Sequence, residues 1–234
     1  MINAELEFPY CESPLIIEKL LGLPEVLRPS VVSFGEDERG TAISDAKSFA
    51  STFELKSYGI FFRNEAILYD LRKARNGNLL CGASFTNPQT EVIRDFLVSM
   101  GAGAIFGYAC VPEEREKRNR AVTRQGENVI SSWVGRDSGR YLPGLYWWTI
   151  FANSLLRQYR IPLEPILEAS VERLELGSTY LFRFYERPED WESSTVMSDL
   201  YARLPGIFNI DSIRPQLEGA GNFITLSAVV DQWR

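Results

Sequence analysis

Short apolar runs separated by turn residues dominate the first half of the chain. Phe53–Arg63 and Ala66–Arg72 are rich in aromatic and aliphatic side chains, which favour strands. The dipeptide Asn76-Gly77 supplies the positive φ angles of a tight hairpin turn and leads into a further apolar run, Leu79–Phe85. Residues 53–85 are therefore predicted to form an antiparallel meander.

After this region, apolar side chains recur at a spacing close to the helical period. Residues 88–100 place apolar side chains on one helical face, namely Val92, Ile93, Phe96, Leu97 and Met100. Ser13-Pro14 predicts the start of another helix, since Pro is favoured in a first helical turn. Further helices are predicted at residues 162–169 and 194–204, and further strands at 31–34, 104–111, 129–134, 171–174 and 179–185.

Two polar segments are predicted to lie outside the core. Residues 1–12 carry Glu5 and Glu7 and suggest a polar lead or an edge strand, and residues 112–124 are a mixed-charge run typical of a solvated loop or helical turn. No repeat, low-complexity tract or linker divides the chain. We therefore predict one α+β domain over residues 1–234, with a mostly antiparallel sheet covered by helices.

The most aromatic part of the chain is Tyr141–Phe151, which begins with a Pro-Gly turn signal. A second aromatic block, Gly177–Trp191, follows it, and we expect the two blocks to pack on each other. Residues 148–159 are predicted to be helical. Because neighbouring residues on a helix point about 100° apart, one of Trp147 and Trp148 should be in the core and the other partly exposed. A stacking platform for bases or sugars is the less favoured alternative, since few basic residues lie nearby.

Composition excludes several classes of protein. The net charge is −6, which argues against a basic surface that grips a phosphate backbone. No apolar run is long enough to span a membrane, and residues 1–10 lack a signal-peptide pattern. The cysteines Cys11, Cys81 and Cys110 are widely separated, as expected of free thiols in a reducing compartment. These features predict a cytoplasmic protein that contacts neither membrane nor nucleic acid directly.

The chain contains no histidine. This absence removes Ser-His-Asp and Cys-His nucleophile schemes, histidine metal sites and the commonest general base. One carboxylate alternative stays open, because Asp45, Glu54 and Lys56 match the Asp…Glu-x-Lys skeleton of metal-dependent nucleases. Alternating Glu54 and Lys56 are equally typical of an exposed strand face, which is the favoured interpretation. We therefore expect no enzyme activity, cofactor or metal.

A glycine-rich segment, Gly101–Gly107, superficially matches a nucleotide-binding loop. It follows a predicted helix and precedes a predicted strand, whereas the dinucleotide-binding fingerprint needs a strand, a loop and then a helix. We interpret it as a helix end followed by a buried strand.

Two acidic runs are candidates for binding a basic partner. One is Glu36, Asp37 and Glu38; the other contains Glu186, Glu189, Asp190 and Glu192 around Trp191. Solvated loops are the simplest interpretation of both. An aromatic anchor ringed by acids is nevertheless typical of a binding hot spot, and the competing interpretation is a tryptophan folded back into the core.

The two aromatic blocks also carry a family resemblance. Tyr141-Leu-Pro-Gly-Leu-Tyr-Trp147, Gly177 and the closing Pro188-Glu-Asp-Trp191 resemble immunity proteins of bacterial polymorphic-toxin and type VI secretion systems, in particular the immunity protein 52 family. The resemblance covers roughly residues 140–210. It implies a non-catalytic α+β protein that binds a cognate toxin, often a nuclease, and blocks its basic active-site cleft. The acidic runs would then face that cleft.

Two other functional classes stay open beside that resemblance. The first is the carboxylate-dependent enzyme built on Asp45, Glu54 and Lys56. The second is an adaptor or structural protein of a phage or secretion machine, with a hydrophobic interface around Trp147 or Trp148.

Overall fold

The computed structural model describes residues 1–34, 40–43, 59–74, 76–125, 127–219 and 228–230. Its strands are β1 (Ile2–Phe8), β2 (Val31–Ser33), β3 (Thr41–Ala42), β4 (Ile60–Arg63), β5 (Ile67–Lys73), β6 (Leu79–Phe85), β7 (Phe106–Cys110), β8 (Arg120–Gln125), β9 (Asn128–Trp133), β10 (Trp148–Ala152), β11 (Glu172–Leu176) and β12 (Thr179–Arg183). Ten of them form one sheet in the order β11-β12-β10-β7-β1-β6-β5-β4-β2-β3, and β8 pairs with β9. Every ladder is antiparallel.

The described helices are α1 (Ser13–Leu21), α2 (Thr90–Gly101), α3 (Pro112–Asn119), α4 (Asn153–Gln158), α5 (Glu164–Ala169), α6 (Val196–Arg203) and α7 (Ile210–Glu218). Short 3-10 helices occur at Tyr10–Glu12 and Pro188–Glu192. A large antiparallel sheet packed with helices confirms the predicted α+β class. Within these residues, no helix is both long and apolar enough to cross a bilayer.

The meander is confirmed over its described part, β4 to β6, with registers Ile60↔Leu71 and Tyr69↔Ala83. The turn between β5 and β6 closes the predicted hairpin, with its positive φ at Gly77. Gly77 has a φ of +88°, and Ala74 N donates to Asn78 O at 2.8 Å. Residues 53–58 of the predicted first strand lie outside the described residues.

The prediction for residues 1–12 is wrong. β1 is the fifth strand of ten and pairs with β6 on one side and β7 on the other. Leu6 and Phe8 are fully buried, and Glu5 and Glu7 are nearly so. The chain tolerates these acids in the sheet because distant side chains neutralise or hydrogen-bond them, as described below.

The predicted helix over residues 148–159 is also wrong in its first half. Trp148–Ala152 is strand β10, and only Asn153–Gln158 is helical. Trp147, just before β10, and Trp148, its first residue, are both buried, at 1% and 0% exposure. Neither tryptophan is partly exposed, and neither offers a stacking platform.

The predicted contact between the two aromatic blocks is confirmed. β10 pairs with β12 in the register Trp148↔Arg183 and Ile150↔Leu181. Beyond the ladder, Phe184 N donates to Trp147 O at 3.0 Å, and Trp147 Nε1 donates to Tyr185 O at 2.9 Å. These bonds place the start of the acidic segment beside the residue that precedes β10, the third of the ten strands.

The mixed-charge run at 112–124 is not a solvated loop. It forms α3 and β8, and the side chains of Glu114 and Asn119 are buried. The β8–β9 hairpin packs on α7 in a second apolar cluster that includes Ala121, Phe208 and Ile213. Helix α7 was not predicted, although Asn209 Oδ1 caps it by accepting from Asp211 N at 3.1 Å.

Candidate functional site

The second acidic run folds into one compact turn directly after β12. Pro188–Glu192 is a 3-10 helix whose start is held by Asp190. Asp190 Oδ2 accepts from Arg187 N at 3.1 Å, and Asp190 Oδ1 accepts from the Arg187 guanidinium at 3.0 Å. The hydrogen bond from the Arg187 side chain lowers the pKa of Asp190 below its ordinary value. Asp190 therefore shapes the turn rather than offering a free carboxylate.

The remaining acids of this turn differ in their availability. Glu186 is 70% exposed and pairs with Arg183 at 3.0 Å. Glu189 and Glu192 are exposed, and neither side chain has an ion-pair or hydrogen-bond partner among the described residues. These two carboxylates are the ones that an incoming cation can reach without displacing an internal partner.

Trp191 is half-buried, which is intermediate between the exposed binding anchor and the core tryptophan considered from the sequence. It packs against the main core, yet it also lines an open cavity beside the turn. Glu186 thus lies just before the 3-10 turn, and Glu189, Asp190, Trp191 and Glu192 lie within it. The other predicted run, Glu36, Asp37 and Glu38, lies outside the described residues, as do Asp45, Glu54 and Lys56.

The cavity has a volume of about 190 Å³ and lies where α3, the 3-10 turn, α6 and the start of α7 meet. Polar and charged side chains make up much of its lining, which comprises Lys117, Arg118, Gly144, Trp191, Glu192, Ser194, Met197, Ser198, Tyr201, Phe208, Asn209, Ile210 and Asp211. Cofactor and drug-sized ligand sites typically occupy about 300–1,000 Å³. This cavity is therefore sized for one side chain or a similarly small group.

One lining residue of the cavity, Arg118, belongs to a buried ion pair. Arg118 Nε donates to Glu114 Oε1 at 2.8 Å, with side-chain exposures of 16% and 0%. Tyr185 OH also donates to Glu114 Oε1. Burial raises the pKa of Glu114, and the guanidinium of Arg118 acts in the opposite direction. The positive charge of Arg118 is thus already matched by an internal carboxylate.

Tyr201 links the cavity to the segment that precedes β10. Its hydroxyl accepts from Leu145 N at 3.0 Å, which joins α6 to the segment before β10. Burial raises the pKa of Tyr201, so this hydroxyl stays protonated near neutral pH. The wall beside Trp191 is consequently attached to the core at two points, through Tyr201 and through the Arg118–Glu114 pair.

A second polar network lies on one face of the sheet. Glu5 Oε1 accepts from Arg136 at 3.0 Å, and Glu5 Oε2 contacts Arg72. Glu7 Oε1 accepts from Ser138 Oγ at 2.7 Å and from Asn76 Nδ2 at 2.7 Å. Each acid is satisfied internally, so this network explains how β1 can be central and offers no free charge to a ligand.

The sequence did not indicate Glu114, Arg118 or Tyr201 as parts of a site. A local signal existed, because Glu114 and Arg118 have the i,i+4 spacing of a helical ion pair. That spacing is equally common on solvated helix faces, and only tertiary packing buries this one.

The other candidate sites have structural roles or are not formed. Gly101–Gly107 runs from the end of α2 into β7, which confirms the helix-then-strand interpretation. Within the described ranges, no group of three or more His, Cys, Asp or Glu side chains could hold a metal ion.

Comparison with protein-family models, with curated proteins and with solved structures found no match to this chain. The resemblance to immunity proteins therefore stays a prediction.

Proposed function

We propose that this chain is a non-catalytic immunity protein that binds and neutralises a cognate bacterial toxin with a basic active-site cleft in the cytoplasm. The surface that we assign to the toxin is the acidic turn, Glu186–Glu192. The observation that carries this assignment is the exposed pair Glu189 and Glu192 on either side of a half-buried Trp191.

Physical reasoning supports this surface as a docking site. The segment 186–192 contains four carboxylates and one guanidinium, a net charge of −3 on one short turn. A negative patch raises the encounter rate with a basic surface, and an aromatic anchor supplies desolvated contact area. A turn held by its Asp190 cap loses little conformational entropy on binding.

The two alternative functions receive less support. An adaptor with an interface at Trp147 or Trp148 is disfavoured, because both side chains are buried. An enzyme built on Asp45, Glu54 and Lys56 draws on residues outside the described ranges. Purified protein incubated with nucleic acid and Mg²⁺ or Mn²⁺ tests that enzyme directly, with Glu54→Ala as its control.

The proposed function is tested by growth protection. The reading frame adjoining this one on its chromosome is expressed from an inducible promoter in a bacterial host, with and without this chain. We expect growth arrest without the chain and normal growth with it. An adjoining frame that is harmless, or a toxic one that this chain does not neutralise, would contradict the proposal.

Two matched variants test whether the acidic turn is the surface that binds the toxin. Glu189→Lys/Glu192→Lys reverses the two free acids of the turn, and Glu25→Lys/Glu65→Lys makes the same change in net charge elsewhere. Glu25 and Glu65 are exposed, and Glu65 follows β4 in the distal half of the sheet. Protection should fail at low expression of the first variant and persist with the second. Equal protection by both variants would remove the turn from the binding surface.

A further inference from the structure

Strand β11 lies at one end of the ten-stranded sheet and pairs on one side only, with β12. The strand at the opposite end, β3, is two residues long. Every residue of β11 is at least partly accessible, with Arg173 and Glu175 exposed and Leu174 between them half-buried. Of the two terminal strands, β11 is therefore the one long enough to pair with a further strand.

The backbone groups on either side of Leu174 point away from β12. Phe184, directly after β12, donates from its N–H to Trp147 O at 3.0 Å and so faces β10. Successive residues of a strand direct their N–H and C=O groups to opposite sides, so Leu181, three positions earlier, faces β11. Leu181 lies opposite Leu174, which directs the backbone groups of Leu174 to β12 and those of its two neighbours to the open edge. These outward groups have no hydrogen-bond partner among the described residues.

The two side chains at this edge carry opposite charges. Arg173 and Glu175 lie on the same face of β11, because they are two positions apart in a strand. Both are exposed, and neither has an ion-pair partner within the part of the chain that the structure describes. Charges of a single sign on an edge strand repel a second copy of the same chain. One positive and one negative charge can instead attract it, provided that the register sets them opposite each other.

Only one central register of antiparallel self-pairing does this. Centring two copies of β11 on Arg173 sets two guanidiniums opposite each other, and centring them on Glu175 sets two carboxylates opposite each other. Centring them on Leu174 sets Arg173 of each copy opposite Glu175 of the other. Each of these two pairs also exchanges two backbone hydrogen bonds, because both residues face the open edge. Opposite charges directly across a sheet stabilise it and like charges destabilise it, so the register on Leu174 is selected.

We infer that β11 is a self-complementary dimer edge: a second copy of the chain adds its own β11 in antiparallel orientation, centred on Leu174. The two sheets then form one continuous sheet across a two-fold axis normal to it. A strand of five residues gives a small interface, so the dimer is weak, with a Kd on the order of 100 µM. This inference does not depend on the proposed function.

Sedimentation velocity of the full chain between ~10 µM and ~1 mM measures the monomer–dimer equilibrium. Arg173→Glu and Glu175→Arg each set like charges opposite each other in both pairs, so each variant alone should dimerise roughly tenfold or more weakly. An equimolar mixture of the two variants restores opposite charges in both pairs and should dimerise about as well as the unmodified chain. The double variant Arg173→Glu/Glu175→Arg should do the same. Arg63→Glu, an exposed charge reversal on β4, is the control and should leave the dimer unchanged.

Amide hydrogen exchange tests whether the dimer forms through β11. The amides of Arg173 and Glu175 should exchange several-fold more slowly at ~1 mM than at ~10 µM protein, because they become hydrogen-bonded in the dimer. The exposed amide of Glu65 should exchange at one rate throughout. A chain that stays monomeric at every concentration, a dimer that leaves the amides of Arg173 and Glu175 unprotected, or single variants whose mixture does not associate would overturn the inference.

Discussion

Replacing Arg118 with methionine tests how the wall of the cavity is held. Met preserves much of the aliphatic length of Arg and removes its guanidinium. Glu114 then loses the 2.8 Å bond from Arg118 Nε and keeps its hydrogen bond from Tyr185. Because the Glu114 side chain is fully buried, its carboxylate is left in the low-dielectric interior without the positive charge of Arg118.

The expected cost is large. Breaking a buried ion pair by removing one partner typically costs about 3–5 kcal/mol, and whole domains are stable by only about 5–15 kcal/mol. The double variant Glu114→Gln/Arg118→Met leaves no buried charge, and Gln can still accept from Tyr185. We expect the double variant to cost less than Arg118→Met alone, by about 1–3 kcal/mol of coupling energy.

The cost should depend on pH with a defined sign. Burial raises the folded-state pKa of Glu114 above its ordinary value of 4.5, and loss of Arg118 raises it further. Between the ordinary pKa of Glu114 and its raised folded-state pKa, the folded state binds more protons than the unfolded state. The free energy of unfolding therefore falls as pH rises through this range. The penalty of Arg118→Met is therefore expected to be larger at pH ~8 than at pH ~5, because protonation of Glu114 at lower pH removes the unpaired buried charge.

Urea denaturation at both pH values measures these free energies of unfolding. Lys117→Met is the matched control, because it removes an exposed charge from the same helix. We expect its effect to stay within about 0.5 kcal/mol at either pH. A cost for Arg118→Met below about 1 kcal/mol at the higher pH, or one that does not change with pH, would refute this reasoning.

Two further outcomes follow from burial. Trp148→Ala should lower the free energy of unfolding by about 3–5 kcal/mol, whereas Trp133→Ala, 44% exposed, should cost about 1 kcal/mol or less, as measured by denaturant titration. Equal costs would contradict the assignment of Trp148 to the core. Burial raises the pKa of Cys81 to about 12 and that of Cys110 well above its ordinary value, while Cys11 is exposed. A chromogenic disulfide reagent should therefore modify one thiol rapidly in the native protein and all three in denaturant; three fast thiols in the native state would contradict this.

Local patterns predicted the elements whose stabilising contacts are local. The Asn76-Gly77 hairpin and the amphipathic helix α2 formed as expected, because turn geometry and helical spacing are properties of short segments. Strand β10 was predicted to be helical instead. All of its residues are buried, and a continuous apolar run fits a buried strand as well as a helix. Its pairing with β7 and β12 decides the matter, and those strands are distant in sequence.

Buried acids were the main source of error. Glu5 and Glu114 suggested solvent exposure, yet both are inside the fold. Glu5 is neutralised by Arg136, 131 positions away, and Glu114 accepts from Tyr185, 71 positions away. No local spacing signals such pairs. The acidic turn was easier to predict, because its charge, its proline and Trp191 lie within one short segment, whereas the cavity beside it is assembled from four separate elements.

The central claim, that the acidic turn captures a basic protein, is tested most directly by an association rate constant. The partner is the protein that co-purifies with this chain from its own cells, and binding is measured by stopped flow at low and at physiological salt. We predict that Glu189→Lys/Glu192→Lys slows association roughly tenfold or more at low salt and that the difference narrows as salt screens the charges. Glu25→Lys/Glu65→Lys should associate at the rate of the unmodified chain. Equal rate constants for the two double variants, at every salt concentration, would contradict the account.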